Sequence, residues 1–143
     1  MRILFIDDDP EHVAFVSRLL REVLDAGVDV VSSVEEAVRA LQAHRYTLVV
    51  TDIFIPLGGR VHETLGPRSR SYADNLQHLG GLVLLDELER VEPRPRVLAH
   101  TACTDFALIE VLGDAVATRI PKPAPPEVLL RAVLDALELP AAR

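Results

Sequence analysis

Four short stretches of this chain carry residues whose types could do chemistry together. Asp7, Asp8 and Asp9 follow an apolar run, Asp52 follows another, and Thr101 and Lys122 each close a later one. Clustered carboxylates repel and raise one another's pKa unless a cation shares them. Such a cluster calls for a hard divalent ion with oxygen ligands, and Mg²⁺ suits one or two carboxylates completed by waters and phosphate oxygens. A lysine ammonium beside them would neutralise a phosphoryl group moving onto a carboxylate, a reaction in which catalysis is mostly positioning and charge stabilisation. A threonine hydroxyl could then hydrogen-bond the arriving phosphoryl oxygens.

These residues act together only if the fold gathers them. Apolar runs alternate with segments of helical period, the pattern of βαβ units and a parallel sheet. Strands are expected at Ile3–Ile6, Val28–Val31, Leu48–Val50, Val97–His100 and Ala115–Ile120. Asp9 and Pro10 read as the cap and first residue of a helix carrying Val13, Val16, Leu20, Val23 and Leu24, with Gly27 as its stop. Ser33 and Glu36 form a capping box before Val34, Ala37, Val38 and Leu41. A third helix resumes at Gly81 with Leu82, Leu85 and Leu88. A fourth, capped by Thr104 or Asp105, ends at Gly113. Pro125 and Pro126 open the last, with Val128, Leu129, Val133, Leu134 and Leu137 on its buried side. In an open parallel sheet the ligand site lies outside the carboxyl ends of the strands, which is where all the chemical candidates stand.

The pieces Phe5-Ile6-Asp7-Asp8-Asp9-Pro10, Val50-Thr51-Asp52-Ile53-Phe54-Ile55-Pro56, Ala99-His100-Thr101-Ala102 and Ile120-Pro121-Lys122-Pro123 resemble the receiver domains of response regulators. Their order, their places at strand ends and the proline four residues beyond Asp52 agree with that family. The resemblance implies a doubly wound α/β fold: a five-stranded parallel sheet of flavodoxin-like order 2-1-3-4-5. It implies that Asp52 accepts a phosphoryl group from a histidine kinase or a histidine phosphotransfer protein. Asp7 and Asp8 would form the acidic pocket. Asp8, Asp52 and the Phe54 main-chain carbonyl would be ligands of Mg²⁺, Lys122 the phosphoryl contact and Thr101 the switch hydroxyl. The family's residues two past the acceptor and two past the threonine flank the attacking water. Here they are Phe54 and Cys103, which orient water poorly, so slow loss of the phosphoryl group is expected.

Two departures stand out. Arg119 occupies the position three before the lysine, where the family usually has Tyr or Phe, and is a candidate exposed partner contact. Residues 58–80 form an insertion between the third strand and the third helix, so that Gly81 follows Pro56 by 25 residues. Its Arg60, Arg68 and Arg70 give a locally basic strip, a candidate lid or docking loop beside the acceptor.

With 143 residues, the chain is expected to be one receiver domain over 1–143 that signals through a protein partner. A net charge of −7 speaks against a direct grip on nucleic acid. No apolar run approaches the roughly 20 residues that span a bilayer. The lone Cys103 suits a reducing, cytoplasmic setting. The five histidines show no metal-ligand spacing, and His100 reads as a strand packing residue. Two other readings compete. One is a degenerate receiver that binds partners without taking phosphate. The other is a haloacid-dehalogenase-like phosphohydrolase built on Asp7 and Asp9, against which Glu11 stands where that family has threonine.

Overall fold

The computed structural model describes residues 1–58, 80–103 and 106–138. Among them are strands β1 (Arg2–Ile6), β2 (Gly27–Val31), β3 (Leu48–Thr51), β4 (Arg96–Thr101) and β5 (Thr118–Pro121). They alternate with helices α1 (Glu11–Leu24), α2 (Val34–Ala43), α3 (Gly80–Leu88), α4 (Phe106–Leu112) and α5 (Pro126–Glu138). The strands form one sheet in the order β2-β1-β3-β4-β5, and every pairing is parallel. This is the expected flavodoxin-like order.

The period-2 alternation of each strand divides the core into two layers. Ile3, Phe5, Leu48, Val50 and Leu98 pack with Val13, Val16 and Leu20 of α1 and with Leu129, Val133 and Ala136 of α5. Leu4, Ile6, Val49 and Val97 pack on the opposite face with Val34 and Ala37 of α2 and with Leu82, Leu85 and Leu88 of α3. A sheet covered on both faces explains why β1 and β3 read as unbroken apolar runs. Arg96, at the start of β4, donates to the carbonyls of Ala136 and Leu137 at 2.7 and 3.2 Å and so anchors the last turn of α5 to the sheet. At the amino ends of the strands Asp29 accepts from Arg2 at 2.8 Å and from the Tyr46 hydroxyl at 2.6 Å. Burial and that carboxylate push the Tyr46 hydroxyl up to about 12.

Several boundaries differ from expectation. Asp25, with φ 51°, takes the left-handed turn that ends α1, because Gly27 is already paired with Arg2 as the first residue of β2. Thr101 is the last residue of β4 rather than the first beyond it. β5 begins at Thr118, not Ala115: Gly113–Ala115 form a 3₁₀ turn, and Ala115 and Val116 pack from that turn against the core. Val128 is 44% exposed because it lies one position off the Leu129, Val133, Ala136 stripe, and Val23 is likewise on the outer face of α1. The Ser33 hydroxyl accepts from Glu36 N–H at 3.2 Å, but the Glu36 carboxylate bonds the hydroxyls of Ser32 and Ser33 rather than closing the box on the backbone.

The ends of the insertion are clasped beside the sheet. Pro56 and Leu57 carbonyls accept from Val34 and Glu35 N–H, and Gly80 and Gly81 N–H donate to the carbonyls of Ile55 and Ile53, all at 2.9–3.0 Å. A Cβ at Gly81 would stand 2.5 Å from Ile53 Cα and 2.7 Å from the Asp52 carbonyl oxygen, so only glycine fits this crossing. Gly81→Ala should therefore lower unfolding stability by about 2 kcal/mol or more. Gly113→Ala, where only the positive φ opposes a side chain, should cost about 1 kcal/mol. Urea unfolding of both variants checks the ranking.

Candidate functional site

Three strand tips deliver the candidate residues because the ladder continues one step beyond each. Asp7 N–H donates to the Val31 carbonyl at 3.0 Å, Asp52 N–H to the Ile6 carbonyl at 3.2 Å, and Lys122 N–H to the Thr101 carbonyl at 3.0 Å. Asp52 thus sits against the end of β1, next to Asp7. Lys122 crosses the end of β4 to meet them: its Nζ donates to Asp7 Oδ2 and Asp52 Oδ2, both at 2.8 Å.

Both carboxylates are buried, and their remaining oxygens are engaged by backbone. Asp52 Oδ1 accepts from Phe54 N–H at 3.1 Å and Asp7 Oδ1 from Asp9 N–H at 2.9 Å. Burial alone would push the Asp52 carboxyl up. Hydrogen bonds from Lys122 and Thr101, the Lys122 charge and the Phe54 N–H outweigh it and hold Asp52 below its ordinary value of 3.8. The same ion pairs overcome the burial of Lys122 and raise it above 10.5.

Asp8, exposed, completes the cluster: one oxygen from each of Asp7, Asp8 and Asp52 lies within 4.8 Å of the others. Among the described residues this group of three carboxylates meets one ammonium, that of Lys122, with His12 Nδ1 3.9 Å from Asp7 Oδ1. The donor set is all oxygen and reaches the surface at Asp8, which fits a hard divalent cation such as Mg²⁺. Asp9 stands outside this group. Its carboxylate accepts from Glu11 N–H at 3.3 Å at the start of α1 and faces His12 Nε2 at 3.1 Å. α1 begins at Glu11 with Pro10 as its N-cap and without a side-chain cap hydrogen bond, one position later than expected, so Asp9 lies in the turn that leads into the helix.

Thr101 is buried, and its Oγ1 accepts from Cys103 N–H at 3.2 Å. Cys103 is a buried free thiol in the core, whereas Phe54 is partly exposed at the rim. Arg119 is exposed on β5. Arg60, Arg68 and Arg70 of the expected lid lie outside the described residues, as do Thr104 and Asp105. Sequence reasoning missed the surroundings of two histidines. His12 Nδ1 lies 3.9 Å from Asp7 Oδ1, and His100 is buried at the same strand end. Strand parity with Leu98 was the available signal that His100 points inward.

The lowered pKa of Asp52 fixes a pH dependence. The unfolded chain binds a proton at Asp52 more readily than the folded one, so this stability is complete above about 3.8 and is lost as pH falls through the lower folded value. In metal-free buffer, wild type should lose more stability than Asp52→Asn between about pH 5 and pH 2.5. Urea midpoints across that range check it.

No family model matches the sequence, and no curated protein matches it. Solved structures do. A CheY-like response regulator receiver domain protein from Methanospirillum hungatei is similar at TM-score 0.71 and 19% identity, over 96% of this chain and 93% of that one. The non-phosphorylated HemR receiver domain from Leptospira biflexa is similar at TM-score 0.68 and 20% identity, over 99% and 98%. The BeF3-activated DrrB receiver domain is similar at 0.68 and 19%, over 96% and 97%. With sheet order, helix placement and near-complete coverage in agreement, the chain has the fold of the CheY-like receiver domains of response regulators.

Proposed function

We propose that the chain works as one receiver domain whose Asp52 accepts a phosphoryl group from a histidine kinase or a histidine phosphotransfer protein. One observation carries this reading. A buried carboxylate lies within 4.8 Å of two others and 2.8 Å from a lysine ammonium at the carboxyl edge of a parallel sheet.

In this reading an Asp52 oxygen attacks the phosphorus of the donor phosphoramidate, the P–N bond breaks, and the departing histidine nitrogen keeps the electron pair. Asp7, Asp8, Asp52 and the Phe54 carbonyl would hold Mg²⁺, which when bound supplies positive charge to the phosphoryl oxygens. Lys122 supplies a second positive charge. Its ammonium now joins Asp7 to Asp52, so transfer replaces one of its partners by a phosphoryl oxygen without moving the lysine far. Thr101, whose hydroxyl helps hold the Asp52 carboxyl down, would follow the new group and trade its local bonding for it. Arg119, exposed where the family's aromatic residue usually stands, gives the output surface a fixed cation for a downstream protein partner.

Incubation with acetyl phosphate and Mg²⁺ should label wild type to about one phosphoryl group per chain. Labelling should fall to background in Asp52→Asn and on chelation of Mg²⁺. After a chase the label should persist for minutes or longer, since Phe54 and Cys103 do not orient water. Equal labelling of Asp52→Asn would remove Asp52 from its role, and turnover of a small phosphate ester without lasting label would favour the phosphohydrolase reading. Intact protein that takes no label under any of these conditions would favour the degenerate receiver.

A further inference from the structure

At the amino end of the sheet, away from the carboxylate cluster, helix α2 ends with most of its last carbonyls unused. The His44 N–H closes onto the Ala40 carbonyl at 2.9 Å. The carbonyls of Leu41, Gln42 and Ala43 accept no hydrogen bond among the described residues, and no basic residue stands in the last turn. Carbonyls at this end of a helix project past its last residue and carry partial negative charge, so they favour a cation.

A cleft of about 290 Å³ opens off that end. One wall is the turn from α2 into β3, and the other is the segment before β4 that holds Val91, Glu92 and Pro93. A protein cavity of about 150 Å³ holds a benzene ring, so an aromatic ring and a small polar head fit here together. Each wall supplies one charged residue, Arg45 on the first and Glu92 on the second. Both are exposed, and neither forms an ion pair among the described residues. Leu41, Val91 and Pro93, none of them buried, add apolar surface.

These features select an occupant. A simple cation would suit the α2 carbonyls and Glu92, but it would leave Arg45 facing a like charge. A simple anion would meet Arg45 together with Glu92 and the negative end of the helix. A molecule that carries both charges satisfies the two walls at once.

We propose that this cleft is a binding site for a free α-amino acid with an apolar side chain. Its ammonium lies against the α2 carbonyls and Glu92, and its carboxylate pairs with the Arg45 guanidinium in charge-assisted hydrogen bonds. Its side chain lies along Leu41, Val91 and Pro93. The cleft is at the opposite edge of the sheet from Asp52. Binding therefore does not rest on the phosphoacceptor reading, and it is tested on unphosphorylated, Mg²⁺-free protein.

L-Phenylalanine is the probe. Titrated into the isotope-labelled full chain at neutral pH, it should give saturable NMR shifts at the amides of His44, Arg45, Tyr46 and Glu92. Phenethylamine lacks the carboxylate and 3-phenylpropionate lacks the ammonium, and each should bind about tenfold more weakly. Arg45→Gln should weaken phenylalanine binding about tenfold and remove its advantage over phenethylamine. Glu92→Gln should weaken it comparably and narrow its advantage over 3-phenylpropionate. Both positions are exposed, and circular dichroism establishes that the variants are folded. The absence of saturable shifts up to the solubility limit overturns the proposal. So does an affinity that either substitution leaves unchanged, or equal binding of all three compounds.

Discussion

A single ammonium, delivered by the loop after β5 to two buried carboxylates just beyond the ends of β1 and β3, is the interaction on which the site depends. Burying Asp7 beside Asp52 without a counter-charge would be strongly unfavourable. Lys122 meets both at 2.8 Å, and backbone N–H groups of Asp9 and Phe54 take the other oxygens. The sheet order makes this possible. β1 and β3 are neighbours, so their tips set the two carboxylates side by side. β5 lies one strand further than β4, a gap that a long, flexible lysine side chain can cross. Among the described residues, with exposed Asp8 included, three carboxylates share one ammonium, and the excess of negative charge is what a divalent ion would neutralise.

The same corner of the sheet carries the insertion. Chain enters at Ile55 to Gly58 and returns at Gly80 and Gly81, with hydrogen bonds tying both ends to one another and to the start of α2. Loop-closure entropy grows only slowly with length, so extra residues at such a clasp disturb the core little. The clasp is nonetheless tight. Gly81 crosses so close to the Asp52 carbonyl and Ile53 that the backbone presenting Asp52 and the backbone opening α3 form one packed unit. Substitution there is therefore felt at Asp52 as well as in stability.

Much of this was legible in the residues themselves. Unbroken runs such as Leu48 to Val50 mark strands covered on both faces, and acidic or hydroxyl residues immediately after them mark the ligand edge. Asp7, Asp8, Asp52 and Lys122 were recoverable because their positions follow from strand ends. Less legible were features decided by competition between neighbours. Gly27 looks like a helix stop, yet pairing with Arg2 claims it for β2 and leaves Asp25 to make the left-handed turn. Ala115 to Ala117 has strand composition, but the 3₁₀ turn after α4 uses its first residue to fill the core from the side. Val128 looks core-facing until the phase of α5 is set by Leu129 and Val133. The pairing of Lys122 with both carboxylates and the burial of His100 without a hydrogen-bond partner among the described residues are tertiary properties that no spacing rule reports.

Beryllofluoride, which mimics a phosphoryl group on a carboxylate, interrogates the central claim without depending on any donor or on the chemistry of hydrolysis. Fluorine NMR of the wild-type chain with Mg²⁺ should show bound fluoride signals at one complex per chain, accompanied by amide shifts at Asp52, Thr101 and Lys122. The signals should vanish in Asp52→Asn and weaken markedly in Lys122→Met. Bound signals that survive the loss of Asp52, or folded wild type that forms no complex with Mg²⁺ in excess, would contradict the account.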